Sequence, residues 1–361
     1  MYNGFMTNPT AKKSIMGSVI DGVSQIFLPI VNLLSAAGIL MGTMAILTAT
    51  AVLSSDSGTY LVLSSMAGSL FYFLPMLIAF TAAKKFGANP FTAVVIAGVL
   101  LYPSLVAAME GGTTVYFLGL PLRGIVYRSS IIPMILAAWL LSYVEKLLDR
   151  VLPAVAKGFL TPLLSILTVG TATLFIFGPV GAVIGDALAA GYEFVHGVSP
   201  IVAGLVLGAA IQLMVIFGFH WSILLIAVNS VAITGYENLS AIIAPAVFAQ
   251  AGAAFAVMIK SRSKTLRGTC ASAILSAVFG VTEPAMFGVN LPRKKPMIGV
   301  CIGGGIGGAI AGFSGVQAAT FAFPSIVTLP LFLGDGFVIF LVSCLVGFGA
   351  SMGFSMAVRF E

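Results

Sequence analysis

Apolar residues in this chain come in long runs separated by short polar joints. Ten runs stand out, near 27–53, 60–83, 91–108, 131–148, 159–181, 200–219, 240–259, 268–282, 297–333 (interrupted) and 336–358. Most approach the ~20 residues that a helix needs to cross the hydrocarbon of a bilayer. A transmembrane barrel would instead show alternating segments of about 10 residues, and the sequence has none. The pattern predicts an all-α polytopic membrane protein with about 10 transmembrane helices.

The polar joints carry a second pattern. Cations cluster at Lys12-Lys13, Lys84-Lys85, Lys146/Arg150/Lys157, Lys260 to Arg267, Arg293 to Lys295 and Arg359. The joints between hold Asp56, Glu110, Asp186 and Glu193. Cation-rich loops face the cytoplasm, so the first five runs alternate cleanly from a cytoplasmic N-terminus. After residue 219 the parity breaks: one further crossing would strand the Lys260–Arg267 cluster outside. Something between 219 and 240 must cross, or dip and return, and re-entrant segments are expected where broken backbone lines a polar cavity. The stretch 183–197, AVIGDALAAGYEFVH, is short and mildly amphipathic, which marks an interfacial helix or a linker. The chain therefore divides into residues 1–182, a linker at 183–199, and residues 200–361. Arg123 and Arg128 fall in a loop that the alternation puts outside, as ordinary loop charges or as groups drawn into a cavity.

Composition closes off other classes. Hydrophobic residues make up 59% of the 361 and charged residues 8%, with a mean hydropathy of +1.12. A soluble domain carries roughly 25% charged residues, so this chain has no means of covering a water-facing surface. The 41 glycines and 17 prolines suit closely packed, broken or re-entrant helices. A net charge of +6 points to the positive-inside pattern rather than to nucleic acid. Cys270, Cys301 and Cys344 lie in apolar segments with no C-x-x-C pair, which supports neither a metal site nor a disulfide framework. The opening residues, MYNGFMTNPTAKKSIMG, lack the features of a cleaved signal peptide.

Ionisable groups at membrane depth cost at least ~2.5 kcal/mol on insertion scales, which makes them candidates for function. Glu283, in GVTEPAMFG, is the first. Pro284 follows it and disfavours α geometry at Glu283 itself, so a bent, non-helical backbone is expected to turn the carboxylate into a cavity. His220, in FGFHWSILL, is the second. Asn89-Pro90 is an ordinary helix-start signal, while Gln250, Asn229 and Asn290 are either glue between helices or cavity lining. A carboxylate and an imidazole facing one cavity suit a polyhydroxyl ligand, because either group accepts hydrogen bonds or a proton from a hydroxyl. The same pair suits proton coupling in a secondary transporter, and the residues alone leave these alternatives level.

The run FGVTEPAMFGVNLPRKKP resembles the signature of sugar permeases of the phosphotransferase system, membrane (IIC) component, in the glucose superfamily. The β-glucoside and sucrose branch, whose motif reads close to FGITEPAxxGVNLPRxxP, is the nearest match. SAAGILMG, FLPMLIAFTAAKKFGANPFTAVVIAGVL, VIFGFHW and IIAPAVFAQAGAAFAV are similar to further segments of those permeases, so the resemblance covers nearly the whole chain. It implies a homodimer in a bacterial inner membrane, with an N-terminal half that dimerises and a C-terminal half whose re-entrant hairpins hold a β-glucoside, sucrose or related sugar. A phosphocysteine on a IIB phosphodomain, supplied through IIA and the general proteins of the system, would phosphorylate that sugar, usually at its 6-hydroxyl. By position, Glu283 and His220 would contact the sugar and assist phosphotransfer. Thr282 and Asn290 in the glutamate motif, Trp221 in the histidine segment, and Asn89 and Arg128 complete the candidate sugar contacts. No cofactor or metal is implied. The chain departs from the family at Tyr102, Met41 and Arg128, and it carries no IIB or IIA domain of its own. It is therefore expected to be one part of a sugar phosphotransferase and not catalytic alone. An ion-coupled secondary transporter, or a sugar sensor derived from a permease, is the alternative.

Overall fold

The computed structural model describes residues 15–359, except 112–113, 126, 128–130, 221–222, 225, 228–229, 232–234 and 319–322. Within its helices it leaves out the side chains of residues 15–20, 35, 38, 42, 45 and 49. In chain order the helices of the N-terminal half are α1 (Ile15–Phe27), α2 (Val31–Ala49), α3 (Gly58–Tyr72), α4 (Leu74–Phe86), α5 (Pro90–Leu100), α6 (Pro103–Glu110), α7 (Ile132–Val151) and α8 (Ala154–Ala172). There follow α9 (Gly178–Val198), α10 (Pro200–Phe217), α11 (Leu239–Lys260), α12 (Lys264–Val278), α13 (Lys295–Ser314) and α14 (Phe337–Ala357). The strand pairing is a small hairpin of Tyr116–Phe117 with Leu120–Pro121.

The helix boundaries follow local chemistry. Proline in the first turn opens α4 to α7, α9, α10 and α13, where its missing N–H costs no hydrogen bond. Ser57, Ser199 and Ser263 cap α3, α10 and α12 by accepting from the backbone N–H of Tyr60, Val202 and Leu266. Gly87, Gly218 and Gly315 end α4, α10 and α13 with φ of 73°, 78° and 65°.

Among the described residues, eight helical stretches are long and apolar enough to cross a membrane. The other two of the ten runs, 131–148 and 268–282, also become helices. They are α7, which carries Glu145, Lys146, Asp149 and Arg150 toward its end, and the 15-residue α12, which starts on Lys264 and Arg267. In the apolar run 297–333 the α-helix ends at Ser314, and among the described residues beyond it the helical piece is a short 3-10 turn at Leu329–Phe332. Of the interval 183–199, all but Ser199 belongs to the second part of α9, continuous with α8 through a π-helical turn at Thr173–Phe177. Together these form a stretch of 45 residues. At ~1.5 Å per residue it is about twice the ~30 Å of hydrocarbon, so part of it must lie beyond or along the interface.

Glycine decides how the C-terminal half packs. A Cβ on Gly204 or Gly208 of α10 would strike the backbone of Gly308 or Gly304 of α13, and the reverse holds for Gly304 and Gly308. Close backbone approach of this kind is how helices associate where lipid removes the hydrophobic drive between them. Pro245 lies inside α11, and Gly307 of α13 and Gly347 of α14 leave room for it. Ser351 of α14 adds a buried hydrogen bond of 2.8 Å to the carbonyl of Ala249. The largest apolar core crosses between the halves: Phe27, Ile78, Ile96 and Met134 share it with Met286, Phe287, Leu291 and Val300.

Candidate functional site

The site is built where α12 ends. Gly280 turns the chain with φ of +94°, a conformation that L side chains rarely adopt. Buried Ser276 donates to the carbonyl of Val281 at 2.9 Å and pins the turn to the helix it leaves. The chain then runs back against α12 as a short helix, Glu283–Ala285, and a π-helical turn, Met286–Asn290. A second loop meets this hairpin at its tip, for the N–H of Ile326 donates to the carbonyl of Val278 at 2.9 Å. The base of the hairpin is held by α1: Phe27 stacks on Phe287 with ring centroids 3.6 Å apart, and Lys294 lies 3.7 Å from Asp21.

The backbone at Glu283 differs from the one expected of a residue before proline. Glu283 does not sit on non-helical backbone; it is the first residue of a helical turn, with Thr282 before it in αR geometry. The bias against α geometry before proline is a preference only. Pro284, in the first turn, gives up an N–H that has no helical partner there.

A cavity of about 300 Å³ lies between the hairpin tip, α10 and the N-terminal half. Gln212 of α10, His220 just beyond it, Thr282 and Glu283 supply its polar wall. Met41, Phe71, Ile131, Val215, Phe279 and Phe323 are among the apolar residues that enclose the rest. The size falls at the lower end of the roughly 300–1,000 Å³ usual for small-molecule sites, and mostly apolar walls with a few placed polar groups are their usual make-up. Glu283 is partly accessible, and among the described residues no Lys or Arg pairs with it. The backbone N–H groups of Thr282 and of Glu283 itself lie against its carboxylate. Its remaining acceptor capacity is available to hydroxyl donors, with an imidazole on the same wall. Among the described residues no group of three His, Cys, Asp or Glu could hold a metal ion.

The structure thus brings Glu283, His220 and Thr282 to one cavity and leaves two other candidates elsewhere. Asn89 is exposed and is the N-cap of α5, its Oδ1 accepting from Phe91 and Thr92 and its N–H donating to Glu145. Asn290 is fully buried behind the cavity, donating to the backbone and side-chain oxygens of Gln250 at 3.0 and 2.7 Å. Arg128, Trp221 and Asn229 lie outside the described residues. Arg123 is an exposed ion pair with Asp186 at 2.6 Å, away from the cavity lining. Arg293 folds back to donate to the carbonyl of Val289 at 2.9 Å, while Lys294 and Lys295 are exposed. The departures also separate, for Met41 lines the cavity and Tyr102 is an exposed residue ahead of α6. Gln212 was not among the sequence candidates. Its signal was available, as the one polar side chain in the otherwise apolar α10.

The family model for the phosphotransferase system, EIIC, matches residues 24–304. The chain is 41% identical over 320 residues to the PTS system beta-glucoside-specific EIIBCA component of Dickeya chrysanthemi, covering 87% of this chain and 51% of that protein. It is 34% identical over 354 residues to the protein of the same description from Bacillus subtilis (strain 168), covering 97% of this chain and 58% of the relative. It is 32% identical over 324 residues to the arbutin-, cellobiose-, and salicin-specific EIIBC component of Escherichia coli (strain K12), covering 88% and 66%. The chain spans about half the length of the first two EIIBCA relatives, 51% and 53%. With the match running from α1 into α13 and across the Glu283 hairpin, this chain belongs to the phosphotransferase system EIIC family.

Proposed function

We propose that the chain is the membrane permease unit of a sugar phosphotransferase system, taking a β-glucoside or related sugar to a IIB phosphodomain. The observation that carries this reading is the convergence of Glu283 and His220 on one cavity, with Thr282 beside them. Vicinal hydroxyls donate to a carboxylate, and the apolar walls accommodate the carbon faces of the ring or an aglycone. In the transfer step the 6-hydroxyl oxygen attacks the phosphorus of the IIB phosphocysteine. The S–P bond breaks, the thiolate leaves, and the hydroxyl proton passes to Glu283 or His220. Exposed Lys294 and Lys295 at the base of the hairpin would meet the anionic donor at the cytoplasmic side. The reading includes a homodimer in a bacterial inner membrane with a cytoplasmic N-terminus, consistent with the positive-inside pattern.

The test is a panel of sugars titrated onto purified protein, beginning with aryl β-glucosides, sucrose and trehalose, alongside uptake in vesicles. Glu283→Gln is expected to fold but to lose phosphorylation-coupled uptake. Unchanged uptake in that variant, or uptake without IIB and phosphoenolpyruvate, would overturn the proposal.

A further inference from the structure

Behind the polar wall of the cavity runs a chain of three amides, each nearly or fully buried: Gln212, Gln250 and Asn290. Its polarity can be worked out from one end. The backbone carbonyl of Gln250 can only accept, so the Asn290 atom 3.0 Å from it must be the donor Nδ2. The Gln250 side-chain atom 2.7 Å from that same Nδ2 must then be the acceptor Oε1. This makes the other end of Gln250 its Nε2, which donates to Gln212 at 3.1 Å, so the Gln212 atom that it meets is Oε1. Gln212 lines the cavity, and among the described residues the side-chain hydrogen bond it makes is on Oε1, leaving its Nε2 to donate elsewhere.

We infer that Gln212 is a sugar-binding residue that donates an N–H to one hydroxyl oxygen of the ligand, with Gln250 and Asn290 as positioning residues that fix its orientation. The inference rests on the sugar reading of the cavity and adds to it a rule of discrimination. Glu283 demands a hydroxyl that donates, and Gln212 demands one that accepts. An amide free to flip would serve either role, but this one is held to a single role by a backbone carbonyl on α11. Asn290 lies seven residues beyond Glu283 on the same hairpin, so one element supplies the carboxylate and sets the amide across from it.

The test uses an aryl β-glucoside with its singly deoxy and deoxyfluoro analogues, titrated onto purified full chain. Fluorine accepts a hydrogen bond weakly and cannot donate one. At one ring position the wild-type protein is expected to bind the fluoro analogue within about threefold of the parent and the deoxy analogue roughly tenfold more weakly, the worth of one hydrogen bond. Gln212→Met should weaken the parent roughly tenfold and abolish the contrast at that position. Gln250→Met, which leaves Gln212 in place but unlocked, should blunt the contrast with a smaller loss for the parent. Gln212→Glu keeps the bond from Gln250 while presenting an acceptor to the cavity, and should abolish the preference for the fluoro over the deoxy analogue, since fluorine has no proton to donate, even if Gln212→Met fails to fold. Gln212 variants that bind the parent and all analogues as the wild type does overturn the inference while Glu283→Gln still tests the sugar site. A wild-type protein that binds no sugar in the panel overturns both readings together.

Discussion

Replacing Gly280 by alanine tests how the cavity is held open. The residue has φ of +94°, and forcing an L side chain into left-handed backbone costs roughly 1–2 kcal/mol. Its new methyl would also stand 2.9 Å from the carbonyl oxygen of Pro324 and 3.3 Å from Cβ of Ser325. That loop has little freedom to retreat, because Ile326 is tied to Val278 by a 2.9 Å hydrogen bond at the same tip. Overpacking of this kind typically costs ~1–3 kcal/mol, so the two effects together come to about 2–5 kcal/mol. Gly315 separates them: it too is left-handed, at φ of 65°, but nothing lies within 4 Å of its Cβ position. Gly353 in α14 is helical and equally open, and alanine there should be neutral or gain ~0.5–1 kcal/mol. Thermal midpoints in mild detergent should therefore rank Gly280→Ala lowest, Gly315→Ala next, and Gly353→Ala at or above the parent. Sugar affinity should fall for Gly280→Ala alone, since the displaced backbone carries Phe279 to Glu283. Equal stability of the Gly280 and Gly315 variants would refute the close approach of hairpin and loop.

Two further substitutions probe the supports of the site. Phe27 and Phe287 are both fully buried and stack with an interplanar angle of 8°. Either one changed to alanine should cost ~3–5 kcal/mol. The double variant should cost clearly less than the sum, measured as a double-mutant cycle of unfolding in detergent; additive losses would show that the rings do not share one contact. Asn89→Ala should lose about 1 kcal/mol as a removed N-cap and leave sugar affinity unchanged, and a loss of affinity would put the residue back among the ligand contacts.

Much of the fold was written in hydropathy, because in a membrane a run of apolar residues has few structural options other than helix. Each of the ten runs contains a helix, including α7 and α12, whose charged ends lower their average. Less legible were the places where hydropathy is blind. The run 297–333 reads as interrupted without showing where, and its helix ends at Gly315, where the chain turns with φ of 65°. The join of α8 to α9 was hidden because mild amphipathicity at 183–197 reads as a separate interfacial piece, whereas the backbone simply continues through a π-helical turn.

At the site, rarity was the guide. Glu283 and His220 stood out because a charge or imidazole in apolar sequence is costly, and both reach the cavity. Asn290 and Asn89 share an amide chemistry that sequence cannot resolve into cap, glue or ligand contact. Their roles come from three-dimensional neighbours: Phe91 and Thr92 for one, Gln250 for the other. Gln212 was overlooked for the opposite reason, as a single uncharged polar residue raises no alarm until its helix is seen to border the cavity.

The glycine faces of α10 and α13 bear on which walls of the cavity are free to move. Where main chain rests on main chain, no side chain stands between the helices to switch rotamer and let them slide. Gly204 and Gly208 against Gly304 and Gly308 therefore make α10 and α13 a fixed frame, and Gln212 is mounted on it. Under the proposed permease function, a movement that exposes the ligand first to one side and then to the other would act at the frame's edges. Two of those edges are the left-handed glycines 218 and 315, where the chain leaves α10 and α13.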